Sequence, residues 1–399
     1  MSYFSRLAKL ALRDPFKIPS MLRLKTAKVT GWQQNSSVLD NEIVPPLVIA
    51  IRPNYGCNLR CVMCNQWGEN GAFIKTPEKL VKRDMTTQDW KNFFDDIAKF
   101  KPYVYFTGGE PLMNADIFEL ISYASSKHII TSMSTNSTFL KDKAKDLINS
   151  GLDYLYTSLD APTPATKDIV RINTKDEDSN SDAVEAIKTV IKLRDSMGKG
   201  LPIIQTQTII VKENQSQLLD MAKFVDQDLK PDVWGLQLCV FTTPELDQAT
   251  TQMYQDNFNQ DQVGWTGFIR DFDGMNFDLI QKQLTQIEQT KWSYKLRMYK
   301  PLGMPGFDLK QYFTQPTENS TTDPLTCLNP YVFAQIQPNG DIAFCGSQPD
   351  YTIGNVKNAP FMDLWNNQKS VDWRKFLKKQ LFPSCKRCFS LHEFSHFKA

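Results

Sequence analysis

The chain has 399 residues, with 46 basic against 44 acidic side chains, 41% hydrophobic and 12% aromatic content. This is the make-up of an ordinary folded protein with room for two or three domains, and the near-cancelled charge excludes binding to nucleic acid or an anionic membrane through a bulk field. No apolar run approaches the roughly 18 residues of a membrane-crossing helix, and the start lacks the continuous apolar stretch of a secretory signal, so a cytoplasmic protein is expected.

Residues 1–45 form a basic extension in which Phe4, Leu7, Leu10 and Ala11 share a helical face beside Arg6, Lys9 and Arg13. "PPLVIAIRPN" (45–54) is an apolar run bounded by prolines and predicts a buried strand. Similar runs follow at 103–109, 129–136, 154–160, 202–211 and 233–241. Between them lie helical patterns. In "TTQDWKNFFDDIAKF" (86–100), Trp90, Phe93, Phe94 and Ile97 recur at helical spacing after a threonine suited to capping. Residues 115–127 and 141–151 follow suit, the second stopped by Gly151. Six strands alternating with helices predict an α/β fold with a parallel sheet of right-handed βαβ units, whose chemistry sits at the carboxyl ends of the strands.

From 242 to 323 the composition shifts to Gln, Asn, Asp and Thr, with one amphipathic helix carrying Phe277, Ile280, Leu284 and Ile287 on one face. This reads as a connecting or substrate-covering segment with a packing stripe. The last section, 324–399, opens with "YVFAQIQPNGDIAFC", two strand-like runs joined by Asn339-Gly340, a hairpin signal.

Eight cysteines fall in two clusters, Cys57, Cys61, Cys64 and Cys327, Cys345, Cys385, Cys388, with Cys239 left over. A secreted disulfide scaffold would be smaller and denser in cysteine, so metal ligation is the better reading. A closed zinc site takes four ligands. Three thiolates at C-x3-C-x2-C, on the loop after the first strand, leave one position unfilled, which fits a [4Fe–4S] cluster with one iron open to a non-protein ligand.

At this point the residues resemble a known family. C-x3-C-x2-C after the first strand is the signature of the radical S-adenosylmethionine (radical SAM) enzymes, and the resemblance implies a partial (β/α)6 TIM-like barrel over 46–241. It also implies that the open iron is chelated by the amino and carboxylate groups of S-adenosylmethionine. "TGGEP" (107–111) resembles the family's GGE motif, giving Gly108, Gly109 and Glu110 as residues that grip the methionyl amine; alone it would be a strand-ending turn. "STN" (134–136) and "SLDA" (158–161) resemble strand tips that face the ligand, implicating Asn136 and Ser158. Arg171 matches a position where relatives place an arginine on the ligand's carboxylate; alone it would be a surface helix residue. Met63 replaces the aromatic that commonly precedes the third cysteine, at a position that contacts adenine mainly through backbone.

In the second set, Cys327 and Cys345 flank the hairpin, and Cys385 and Cys388 form a CxxC. Two cysteine pairs also suit a zinc ribbon. The pattern, with "IGNV" (353–356) and "FMDLWN" (361–366), resembles the opening of a SPASM domain without its later cysteines. That implies the shortened twitch type with one auxiliary [4Fe–4S] cluster. Four ligands close such a site, which favours electron transfer over substrate ligation.

The resemblance implies an enzyme that cleaves S-adenosylmethionine reductively to a 5′-deoxyadenosyl radical and removes a hydrogen atom from a peptide or small-metabolite substrate. An external donor such as flavodoxin or ferredoxin would supply the electron. Oxidation, with the auxiliary cluster as acceptor, is the leading outcome; epimerisation with Cys239 as hydrogen donor and a non-catalytic redox-sensing scaffold are the alternatives. The basic extension is compatible with a membrane surface, a docked partner or packing across the barrel bottom. His392 and His396 stand four apart but show no third ligand.

Overall fold

The computed structural model describes residues 2–29, 43–74, 85–174, 179–304, 306–318, 327–388 and 390–391; His392 and His396 lie outside them. The described strands are β1 (Val48–Ile51), β2 (Leu59–Cys61), β3 (Tyr103–Phe106), β4 (Ile130–Thr135), β5 (Tyr154–Ser158) and β6 (Arg171–Asn173). They continue as β7 (Ile203–Ile210), β8 (Val233–Leu238), β9 (Lys295–Met298), β10 (Phe333–Ile336), β11 (Asp341–Ala343) and β12 (Thr352–Asn355).

Ten of these strands make one sheet in the order β12-β11-β10-β1-β3-β4-β5-β7-β8-β9, while β2 and β6 pair separately and antiparallel. Every neighbouring pair from β10 through β9 is parallel. The six strands legible in the sequence are β1, β3, β4, β5, β7 and β8. Two further parallel strands flank them. β9 comes from the polar segment after 242, and β10, the first arm of the hairpin, lies along the free edge of β1. Compositional boundaries at 242 and 324 therefore do not divide the sheet. No described ladder joins β9 to β12, so the barrel stays open.

One face of the sheet is apolar and covered by helices. In Thr87–Ile97, Trp90, Phe93, Phe94 and Ile97 are buried on that face, and Thr86 with Asp89 forms a reciprocal capping box. Ile280, Leu284 and Ile287 of the helix Phe277–Gln289 enter the same core, so its stripe is packing. The other face is polar. By the two-residue repeat of a strand it presents Tyr105, Tyr156, Gln205, Gln207, Gln237 and Gln335, and Tyr299 just after β9. Gln205 donates to the Tyr299 hydroxyl at 2.8 Å, two strands away. Tyr299 also acts electrostatically on Tyr105, five strands away. With neighbouring strands about 4.8 Å apart, that reach requires the sheet to curl around its polar face.

The basic extension packs across the amino ends of the strands. Leu10 is buried with Leu201 and Ile203. Arg6 pairs with Asp232, just before β8, and Lys17 Nζ lies 2.8 Å from Asp153, just before β5. Of the three expectations for this segment the structure has the barrel-bottom packing. Its polar side faces inward through buried ion pairs, and Phe4, Leu12 and Phe16 remain exposed. Among the described residues, no helix is long and apolar enough to cross a membrane.

Candidate active site

The loop after β1 carries Cys57, Cys61 and Cys64 and is fixed by the turn after β3. Gly109 N donates to Asn54 O at 3.2 Å and Glu110 N to Gly56 O at 2.8 Å. A β-carbon on Gly108, whose φ is +133°, would stand 2.4 Å from Asn54 O, and one on Gly109 would stand 2.0 Å from Gly56 O. These glycines thus have a reason visible in the fold: two backbones cross where no side chain fits.

Glu110 is buried and ties that turn to the tip of β4. Its carboxylate accepts from Leu112 N at 3.0 Å, Thr135 Oγ1 at 2.8 Å and Asn136 N at 2.7 Å. Burial pushes its pKa up to about 7, against the pull of those donors. Asn136 in turn reaches the loop: its Nδ2 donates to Asn58 Oδ1 at 2.8 Å and lies 3.8 Å from Cys57 Sγ.

Cys61 is buried in one cluster with Leu59 and Met63, and Cys57 and Cys64 pack against it, so the loop gathers the three cysteines. Burial pushes Cys57 up to about 11 and Cys61 to about 12, as expected of thiols that ionise only when a metal takes the proton's place. Each sulfur has a donor beside it. Leu59 N is 3.5 Å from Cys57, Trp67 N is 3.3 Å from Cys64, and Arg171 Nη1 is 3.6 Å from Cys61. These residues could hold a cluster through three thiolates with one iron left open.

Arg171 is not a surface helix residue. It opens β6, pairs in register with Cys61 on β2, and its Nε donates to the buried Asp160 at 2.5 Å. Burial alone would lower its pKa; Asp160 and Cys61 outweigh that and raise it. Asp160 also accepts from Ile209 N at 2.8 Å, so "SLDA" locks β5 to β7 and aims the arginine at the sulfurs. Ser158 ends β5 opposite Gln207.

Met63 is buried, and its carbonyl accepts from Arg270 Nη1 at 3.0 Å. The same nitrogen lies 3.2 Å from Cys239 Sγ. Cys239 follows β8 and packs with Cys61 and Met63 in one apolar cluster. Sequence reasoning placed Cys239 apart and missed Arg270, which lies in a Gln- and Asp-rich segment with no motif around it. Asp160 and Asn58 were missed likewise, being ordinary turn residues until their partners are known.

The second set converges from distant segments. Cys327, Cys345, Cys385 and Cys388 line a single pocket with Trp265, Gln348, Trp373 and Asn329. Main-chain or side-chain donors of Asn329, Ser347, Gln348, Ser390 and Leu391 approach three of the sulfurs. Four lining residues also carry buried polar atoms with no protein partner: Trp265 Nε1, Trp373 Nε1, Gln348 Nε2 and Asn329 Oδ1. Three of these are N–H donors, the complement of an electron-rich sulfur-bearing group. Among the described residues no three Cys, His, Asp or Glu side chains are placed to hold a single metal ion. The four thiols line one pocket, and four thiolates could close a cubane of iron and sulfide or hold a tetrahedral zinc ion.

Comparison with known proteins agrees with this geometry. A model described as the radical SAM superfamily matches residues 51–225, and one described as an iron–sulfur cluster-binding domain matches residues 327–389. The chain is 24% identical over 351 residues to the tungsten-containing aldehyde ferredoxin oxidoreductase cofactor-modifying protein of Pyrococcus furiosus, covering 83% of this chain and 84% of that one. It is 23% identical to the AdoMet-dependent heme synthase of Nitratidesulfovibrio vulgaris, covering 82% and 80%. Among solved structures, Streptococcus suis SuiB bound to its precursor peptide SuiA shares the fold, with a TM-score of 0.54 at 17% identity over 84% of this chain and 67% of that one.

Proposed function

The chain belongs to the radical SAM superfamily and carries a C-terminal SPASM iron–sulfur domain, and from that premise we propose that it oxidises a peptide or small-metabolite substrate. Cys57, Cys61 and Cys64 are the proposed ligands of the S-adenosylmethionine-binding [4Fe–4S] cluster. Cys327, Cys345, Cys385 and Cys388 are the proposed ligands of a closed auxiliary [4Fe–4S] cluster. When bound, these groups supply reductive cleavage of S-adenosylmethionine to a 5′-deoxyadenosyl radical and a sink for the electron left on the substrate.

The observation that carries the reading is the ligand count: three gathered thiols at one site, four around one pocket at the other. The chain's own residues position the parts. Glu110 fixes the tip of β4 against the cysteine loop, Arg171 sets positive charge beside Cys61, and Arg270 holds the Met63 carbonyl. Gly108, Gly109, Glu110, Asn136, Ser158 and the Met63 backbone are the proposed neighbours of S-adenosylmethionine. Flavodoxin or ferredoxin is the proposed electron donor.

Anaerobic reconstitution tests the reading. About eight irons per chain, four for each cubane, and 5′-deoxyadenosine formed with dithionite support it. Bound zinc without 5′-deoxyadenosine overturns it.

A second reading rests on Cys239. Its thiol is 2% exposed and burial raises its pKa, so it stays S–H, beside the cysteine loop and two residues beyond the polar-facing Gln237. That is the state and place a hydrogen-atom donor needs, which makes epimerisation the alternative. Turnover in deuterated water separates the two. Deuterium at the reacting carbon, lost in Cys239→Ala, supports epimerisation; an oxidised product without it supports oxidation.

A further inference from the structure

Arg52 follows β1 at its carboxyl end, and Gln335 on β10 pairs with Ala50. Residues 50 and 52 share a face of the strand, so Arg52 and Gln335 both lie on the polar side of the sheet. They meet at Gly346, where a β-carbon would stand 3.1 Å from Gln335 Oε1 and 3.9 Å from Arg52 Nη2. Both are buried, at 6% and 2% exposure. Arg52 Nε and Gln335 Nε2 are buried donors with no acceptor. Arg6, Arg194 and the largely buried Arg171 are each paired with an aspartate, while the buried Arg374 and Arg387 donate to backbone carbonyls and stack on the Trp365 and Tyr312 rings. Arg52 has no such ion pair among the described residues, and a buried cation without one is costly.

Its surroundings say what the missing partner is. Tyr55, whose hydroxyl donates to Gln337, neighbours the Arg52 guanidinium, and charge on Cys64 and on Cys345 acts on Arg52 as well, which places it between the two thiol sets. Yet Arg52 donates to neither sulfur, whereas Arg171 and Arg270 lie 3.6 Å and 3.2 Å from theirs. Of the other cations on the polar face, Arg297 stacks 4.2 Å over Tyr299 and acts on Tyr3 and Tyr156, and Lys295 lies 4.3 Å over Tyr3, at the opposite end of the strands. The subsite thus holds one guanidinium, a neutral amide and the neutral Tyr55 phenol. That set balances a single negative charge on two oxygens, the shape a guanidinium fork matches. A phosphate dianion asks for further cations or a helix N-terminus.

We propose that Arg52 and Gln335 form a carboxylate-binding subsite, which holds a substrate carrying one free carboxylate between the two thiol sets. The subsite deepens the function proposed above and rests on it. The substrate is gripped where hydrogen abstraction and electron removal both have short paths.

The test uses the fully reconstituted protein, titrated with N-acetylglycine, N-acetylglycinamide and inorganic phosphate. Binding is read by calorimetry and by the paramagnetic resonance line shape of the reduced clusters. N-acetylglycine is expected to bind and its amide to bind far more weakly. Arg52→Gln is expected to weaken N-acetylglycine on the order of ten- to a hundredfold, with Arg52→Lys recovering part of the loss, because hydrogen bonds to a charged group are the strong ones. Gln335→Leu is expected to weaken it several-fold and decides the matter alone if Arg52→Gln loses iron. Absent binding to the wild type, equal affinity in the variants, or tighter phosphate binding each overturns the subsite. Cluster potentials that move in Arg52→Gln while anion affinity stays put would assign the arginine to the clusters instead. Failure of the enzyme reading shows separately, as wild-type protein that loads iron but forms no 5′-deoxyadenosine.

Discussion

A β-carbon on Gly109 would stand 2.0 Å from the carbonyl oxygen of Gly56, so the turn after β3 and the cysteine loop are one packed unit. Gly109→Ala must part them or distort both. The expected result is loss of roughly half the iron, that of the first cluster, with the auxiliary signal retained. Full iron content in Gly109→Ala would show that the loop shifts freely.

Changing Cys57, Cys61 and Cys64 together to Ala should also leave roughly half the iron and abolish S-adenosylmethionine cleavage. Cys385→Ala with Cys388→Ala should spare cleavage and stop oxidation of substrate. Solubility is checked first, since cluster binding supports folding. Cleavage surviving in the triple variant would mean the clusters are assigned the wrong way round.

The unpartnered indole N–H groups of Trp265 and Trp373 beside four thiols predict hydrogen bonds to the auxiliary cluster. Each stabilises the reduced, more negative state. Replacing either tryptophan with Phe should lower the cluster's potential by about 20–60 mV, the equivalent of one hydrogen bond of about 0.5–1.5 kcal/mol per electron. Redox titration reads this directly, and unchanged potentials in both variants remove the donors from the account.

Glu110 carries a pH signature. Burial raises its folded pKa to about 7, above the ordinary glutamate value of about 4.3. The folded state therefore holds the proton more tightly. This group's stabilisation is full below the unfolded value and is lost as pH climbs through about 7, a swing of a few kcal/mol. The difference in unfolding free energy between wild type and Glu110→Gln should change across pH 4–8 in that sense. A flat difference would show that the donors around Glu110 keep it ionised throughout.

At the other end of the sheet, Asp232 accepts from both Arg6 and Arg194, all three nearly fully buried. Asp232→Ala leaves two buried guanidinium groups with only the half-exposed Asp195 as carboxylate partner and should cost up to about 3–5 kcal/mol. A chemical denaturation midpoint that does not move would place this network outside the cooperative fold.

Much of this was legible in the sequence, for local reasons. Alternation of apolar runs with helical stripes reports the six central strands because each is a short, contiguous pattern. Both cysteine sets announce themselves by spacing. What stayed hidden is what depends on distant partners. "WSYKLRMYK" gives no strong strand signal, and Lys295–Met298 becomes a strand only because β8 offers an edge. The placement of β10 beside β1 joins residues 48 and 333, a pairing no local pattern reports. Arg270 and Arg52 look like ordinary basic residues until the fold brings Met63, Cys239 and Gln335 against them.

The pairing of β1 with β10 also orders events in time. During synthesis β1 is made early and its outer edge waits, backbone groups unpaired, until nearly three hundred further residues have emerged. Only then can the sheet close that edge, and the same late segment brings Cys327 and Cys345 into place. The auxiliary cluster site is thus the last part of the molecule to be assembled. A nascent chain stalled before residue 333 exposes a bare parallel edge next to a finished first cluster loop, the state in which this protein is most open to mispairing with another copy of itself.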